Sequence, residues 1–311
     1  MPHGSGQSGN LARVQHVPYD EFGLFHENAE EFGLPYDGPP TVRRQRVEVS
    51  GGRSLSALVW GDTPPELVLL HGGAQNAHTW DTVAMALGRP LVAIDLPGHG
   101  HSDGPADSSA DLEANALDVA AAIEALAPDA GAVIGMSLGG MTTMALAKVR
   151  PDLVRSLVLV DVTPGVNHEK AEAIVAFVNG PDSFPDFDEL LERTQQFNPT
   201  RSESSLRRGI LHNALQRDDG SWVWRYRRFT ERTGALLDVS RLWDVLEGLT
   251  VPLMLVRGMR SQSVVDDADE AELLRRVPSA RVEHVEDAGH SVQGDTPLEL
   301  ARLIDSFCPA G

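Results

Sequence analysis

Ala132-Val133-Ile134-Gly135-Met136-Ser137-Leu138-Gly139-Gly140 runs from a short apolar strand, through a serine set between glycines, into a helical pattern. Residues 135–139 fit G-x-S-x-G, the turn that exposes a serine at the end of a buried strand. The glycines let neighbouring backbone approach without a Cβ clash. The amide of Leu138, at the start of the following helix, points toward charge developing beside the serine. The segment therefore reads Ser137 as a nucleophile and Leu138 as one oxyanion donor. An ordinary serine in a Gly-rich turn is the bland alternative, and it loses weight because strand and helix flank the motif on the correct sides.

Working outward, short apolar runs alternate with helical patterns from Val42 onward, which predicts a mainly parallel sheet wrapped by helices. Val42–Val49 and Leu55–Trp60 flank Gly51-Gly52 and read as an antiparallel hairpin. Leu67–Leu70, Leu91–Ile94, Ala132–Ile134, Ser156–Val160, Leu253–Val256 and Arg281–Val285 read as compact strands buried on both faces, and Leu298–Phe307 as a closing helix. The core is expected over residues 42–164 and 242–311. Between Gly165 and about Arg241 the strand rhythm stops. Ala171, Ile174, Val175 and Val178 follow helical spacing, and Leu206, Ile210 and Leu215 suggest another amphipathic helix, so a helical cap is expected over residues 165–241. Residues 1–41 read as an arm lying over the core, opening on a disordered tail from Met1 to Asn10.

Composition limits the function classes. With 311 residues, 41% of them hydrophobic, the chain can bury one sizeable core plus an elaboration. Lys and Arg number 26 against 45 Asp and Glu, and the formal charge of −19 opposes binding to nucleic acid or an anionic membrane. No run of about 20 apolar residues and no leader-like segment stands out, so a soluble cytoplasmic protein is expected. Cys308 is the single cysteine, which rules out an internal disulfide and a cysteine metal cluster. HExxH, CxxC and a complete dinucleotide fingerprint are also missing, so the reading includes no metal and no cofactor.

Three further loops carry chemistry. His71-Gly72-Gly73 follows the strand Leu67–Leu70, where a second oxyanion amide is needed; Gly73 is the first candidate and Ala74 the second. His71 itself reads as a brace for that loop. His290, in Asp287-Ala288-Gly289-His290, lies just after the strand Arg281–Val285, at a strand end where open α/β sheets place reactive groups, and reads as the base. His99 and His101 sit on another strand-end loop and read as pocket-rim or structural residues. Within the cap, Trp222 and Trp224 share a face of a strand-like segment and are candidates for lining the pocket, or else for packing.

Taken together, HGG, DLPGHGHSD, GMSLGG and AGH, in that order, resemble the α/β-hydrolase fold family over roughly residues 42 to 308. The resemblance implies an eight-stranded, mostly parallel sheet, a cap over the strand ends and no cofactor. Haloalkane dehalogenases and epoxide hydrolases carry Asp where this chain has Ser137, so those reactions are not expected. The commonest family pattern places an acid roughly where Ser261-Gln262-Ser263 stands, and no acid is there. Asp161, after the strand Ser156–Val160, is the first candidate for the partner of His290. Some family members, zearalenone-type lactonases among them, are similar in this respect, which leans toward lactones. Asp266 and Asp267 are the alternative, at a helix start where capping explains them equally well.

The expected chemistry is attack by Ser137 on an ester or lactone carbonyl, with His290 taking the proton and an acyl-enzyme following. A carbon–carbon bond hydrolase, a thioesterase or a cofactor-free lyase could reuse the same serine and histidine. A non-catalytic binding protein of the same fold is the alternative from another class. The expected partner is a small molecule; the sequence leaves substrate identity and oligomeric state open.

Overall fold

The computed structural model describes residues 16–105, 111–166, 168–227 and 239–310. The reading of Met1–Asn10 as a disordered tail lies outside the described residues.

The core is one eight-stranded sheet. In chain order its strands are β1 (Val42–Val49), β2 (Arg53–Trp60), β3 (Leu67–Leu70), β4 (Leu91–Ile94), β5 (Ala132–Met136) and β6 (Leu157–Val160), and beyond the cap β10 (Leu253–Gly258) and β11 (Arg281–Val285). Their spatial order is β1-β2-β4-β3-β5-β6-β10-β11. The first hairpin is antiparallel, with Gly51 and Gly52 both at positive φ in its turn, and β2 also runs antiparallel to β4. Every pairing from β4 to β11 is parallel. The chain adds β4 on one side of β3 and then returns to build on the other side. Such a switch opens a crevice at the carboxyl ends of the strands, where ligands bind in open α/β sheets.

Period-two alternation divides the apolar strands between two cores. Leu67 and Leu69 face one layer with Ile134, Met136 and Val158, under α1 (Phe25–Phe32), α2 (Asp81–Leu87) and α10 (Pro297–Phe307). Val68 and Leu70 face the other with Val133, Leu157 and Leu159, under α3 (Leu112–Leu126), α4 (Leu138–Val149), α8 (Leu242–Glu247) and α9 (Asp267–Arg276). All four residues of β3, β4 and β6 are buried, as strands covered on both faces must be. Among the described residues no helix is long and apolar enough to cross a membrane.

The cap differs from an all-helical insertion. It holds α5 (His168–Val178), α6 (Phe187–Phe197) and α7 (Glu203–Asn213), and also a small antiparallel sheet of β7 (Ser183–Phe184), β8 (Ala214–Gln216) and β9 (Trp222–Trp224). The expected Leu206-Ile210-Leu215 helix stops at Asn213: the chain turns to pair with β9, and Leu215 lies on β8 with its side chain exposed. Phe184, Leu190, Ile210, Leu211 and Trp222 form the cap's own core. The arm over the core contains α1, which the sequence pattern did not announce. Gly33 closes it in the left-handed conformation, and Phe25 packs edge-on against Trp60 at 5.2 Å.

Candidate active site

Ser137 occupies the turn between β5 and α4 with φ 50° and ψ −116°. A non-glycine residue in this region costs roughly 1–3 kcal/mol and persists only where its surroundings enforce it. Here they do. A Cβ on Gly139 would collide with the Leu70 carbonyl, and one on Gly135 with the Gly139 backbone, so strand and helix pass too closely for any side chain at either glycine. The Ser137 amide donates to the Val160 carbonyl at 3.4 Å, and its carbonyl accepts from Met141 at 2.9 Å, which fixes the turn from both sides.

Asp161 follows β6 as Ser137 follows β5, because Met136 and Val160 are paired in register on adjacent parallel strands. Asp161 also has positive φ, 47°, and is fully buried. Its Oδ1 accepts from the Gly258 amide at 3.0 Å and from Ser263 Oγ at 2.6 Å; its Oδ2 accepts from the Val264 amide at 3.1 Å and from His290 Nδ1 at 2.9 Å. Four donors thus converge on one buried carboxylate, and the bond from His290 Nδ1 leaves the far nitrogen of the ring as an acceptor. Gly258 is required for the approach of the histidine loop, since a Cβ there would strike the Gly289 carbonyl. Among the described residues Ser137 Oγ makes no hydrogen bond.

The alternative acids have other work. Asp266 caps α9, forms a capping box with Asp269 and pairs with Lys170 at 2.7 Å. Asp267 is exposed and pairs with Arg257 at 2.8 Å. Ser263, in the segment where the commonest pattern has its acid, donates to Asp161 instead. The sequence reading missed that role, although a serine at that place beside an acid on the neighbouring strand was a usable signal.

Of the candidate amide donors, that of Gly73 has no acceptor among the described residues, and that of Leu138 begins α4, where helical geometry supplies none. The amide of Ala74 is already given to His99 Nε2 at 3.2 Å. Gly73 and Leu138 are therefore the free pair. Two buried histidines hold this loop. His71 accepts from the Leu96 amide at Nε2, 2.9 Å, and donates from Nδ1 to the Gly72 carbonyl, 2.7 Å. His99 donates from Nδ1 to the Pro97 carbonyl at 3.1 Å. Burial pushes the pKa of His71 down and that of His99 down to about 3, so both act as neutral braces.

A cavity of about 190 Å3 opens between the segment from Ala74 to Thr82, α1, the segment after His290 and the cap. Ser137 is not part of its wall. Gln75 is part of that wall, and its Oε1 lies, like Ser137 Cβ, 3.3 Å from where a Cβ on Gly72 would stand. Trp224 and Phe177 form its apolar side, with ring centroids 5.8 Å apart. Trp222 does not line it. Its ring is 4% exposed and packs edge-on against Phe187 at 5.2 Å, because the cap's small sheet needs an apolar residue beneath it.

Farther along the cavity, His78, Asp81 and His212 bring donor atoms within 4.8 Å of one another, the arrangement that most resembles a metal site. The two rings stack at 3.8 Å. His78 donates to Asp81 at 2.8 Å and to Glu21 at 3.1 Å. Although burial opposes its charge, these carboxylates raise its pKa to about 9. Through Glu21 the cluster joins the arm to the core.

The chain is similar to known proteins. The alpha/beta hydrolase family profile matches residues 67–303. Esterase Rv0045c of Mycobacterium tuberculosis is 45% identical over 92% of this chain and 94% of its own length. The sn-1-specific diacylglycerol lipase ABHD11 of Mus musculus is 29% identical over 80% of this chain and 83% of its own. A solved structure of the M. tuberculosis esterase, at 44% identity, superposes with a TM-score of 0.83 and covers 94% of this chain and all of that one. The profile match over most of the chain, the 45% relative and the sheet with its strained serine turn place the protein in the α/β-hydrolase family.

Proposed function

We propose that this protein is a serine carboxylic ester hydrolase. The observation that carries the reading is the line from the strained turn at Ser137 to His290 held by the buried, four-fold hydrogen-bonded Asp161. In the reaction His290 takes the proton of Ser137 as the hydroxyl attacks the carbonyl, and the amides of Gly73 and Leu138 receive the oxyanion. Asp161 holds the imidazole in the tautomer that accepts this proton and stabilises the imidazolium that forms. His290 then returns the proton to the leaving alcohol, and water activated by the same ring releases the acid from Ser137. The named activities of the relatives above, esterase and diacylglycerol lipase, support an ester as substrate. Phe177 and Trp224 give the substrate an apolar wall that excludes water.

A lactone is the second reading, favoured by the place of Asp161 after β6, where the resembling lactonases carry their acid. Turnover of a panel of aryl esters, lactones, thioesters and 1,3-diketones, with Ser137→Ala as the blank, tests both. Ester cleavage above the blank is expected. Stoichiometric labelling of Ser137 by a serine-directed phosphonate with no turnover of any panel member would instead make the chain a binding protein.

A further inference from the structure

Arg201 stands at the head of α7 and faces the cavity beneath the cap. Among the described residues its guanidinium makes one hydrogen bond, to Ser205 Oγ, and no carboxylate lies within ion-pair distance. Its Nη1 rests on Gly294, where a Cβ would collide with it, in the short helical turn that follows His290. Neighbouring cations are matched: Arg208 pairs with Glu31 and with Glu27 at 3.6 Å, and His78 with Asp81 and Glu21. Arg201 is thus the unmatched charge of the cavity, in a chain whose acids outnumber its bases by 45 to 26. Burial pulls its pKa below the ordinary range, and Asp295 and Glu31 act at longer range to offset this only in part.

Resting on the ester-hydrolase reading, we infer that Arg201 binds a carboxylate at the far end of the substrate, so that the enzyme prefers esters carrying a second, anionic carboxyl group. A guanidinium withdrawn from bulk water carries a desolvation cost that a carboxylate offsets better than any neutral group. Its planar fork matches a carboxylate through two parallel N–H donors. The small volume of the cavity suits a short chain ending in such a group, with Trp224 and Phe177 against its methylenes.

The test compares matched esters on the full-length protein. On the acyl side, mono-para-nitrophenyl glutarate is set against para-nitrophenyl pentanoate. On the alcohol side, the butyrate ester of a terminal hydroxy acid is set against that of the corresponding alcohol. In the unaltered enzyme at least one pair should favour the anion by about tenfold or more in kcat/KM, carried by KM. Arg201→Met should cut this preference to about twofold or less with the neutral ester little changed, and Arg201→Lys should keep part of it. Because each reading is a ratio, partial misfolding cancels, and the reduced preference of Arg201→Lys keeps the assignment testable if Arg201→Met does not fold. No anionic preference in either pair, or one that persists in Arg201→Met, would overturn the assignment. No turnover of any of the four esters would overturn the ester-hydrolase reading, and this assignment with it, a result distinct from turnover without preference.

Discussion

Asp161 is the residue on which the account of catalysis turns. It is buried, sits in a backbone region that glycine favours, and collects four hydrogen bonds, one from His290. Replacing it with asparagine keeps the shape but offers the imidazole an amide that can hold the wrong tautomer, which costs on the order of 10⁴ in kcat. Asp266→Asn keeps the helix cap, which an amide oxygen serves as well as a carboxylate, and removes only the ion pair with Lys170, so its turnover at equal folded fraction should stay close to that of the unaltered enzyme. The opposite ranking would move the acid to α9. Ser263→Ala deletes one of the two donors to Oδ1 and should lower kcat by about tenfold with KM little changed, the loss expected for one hydrogen bond to a charged group. Equal loss in stability and no loss in kcat would make Ser263 purely structural.

Among the elements, the cap and the arm do different things. Trp224 faces the cavity and Trp222 the cap's core, although both lie on one short strand. Trp222→Ala should cost roughly 3–5 kcal/mol in stability and leave relative rates across a substrate panel unchanged. Trp224→Ala should shift those relative rates, and unchanged ratios would remove it from the pocket. The arm is fastened by Glu21, which pairs with Arg44 and His78; Arg44 also reaches the buried Asp95 at 2.8 Å, and Tyr19 bonds His212 at 2.9 Å. Burial alone would raise the Glu21 pKa, but hydrogen bonds from His78 and Arg44 outweigh it and bring it from 4.5 to about 2. A depressed acid stabilises the fold above its unfolded pKa and loses that contribution as pH falls toward 2. His78, raised from 6.5 to about 9, stabilises below 6.5 and loses its contribution as pH rises toward 9. The clasp is therefore strongest between about 4.5 and 6.5. Thermal melts of Glu21→Gln against the unaltered protein should show the largest gap in that window and a smaller one near pH 9. A gap that does not change with pH would contradict the ionic clasp.

For the whole molecule, the core was legible in the sequence because each buried strand is a continuous apolar run and each strand-end loop carries its own glycine pattern. Gly135 and Gly139 mark the serine turn, and both are needed for backbone contacts that any Cβ would break. Less legible was whatever depends on distant partners. Leu215 continues a helical pattern in the sequence, yet cross-strand pairing with Val223 claims it for a strand. The arm's helix is short and held by Trp60 and by Arg208, which no local pattern announces. The unmatched charge of Arg201 shows only when the surrounding acids can be seen paired elsewhere. The central claim, that Ser137 and His290 act as one unit, is tested most directly by the rate of ester hydrolysis in Ser137→Ala, His290→Ala and the double variant, each at equal folded fraction. Groups acting as one unit give losses of about 10⁴ or more for either single change and little further loss for the double. Independent, additive losses, or turnover retained without Ser137, would contradict it.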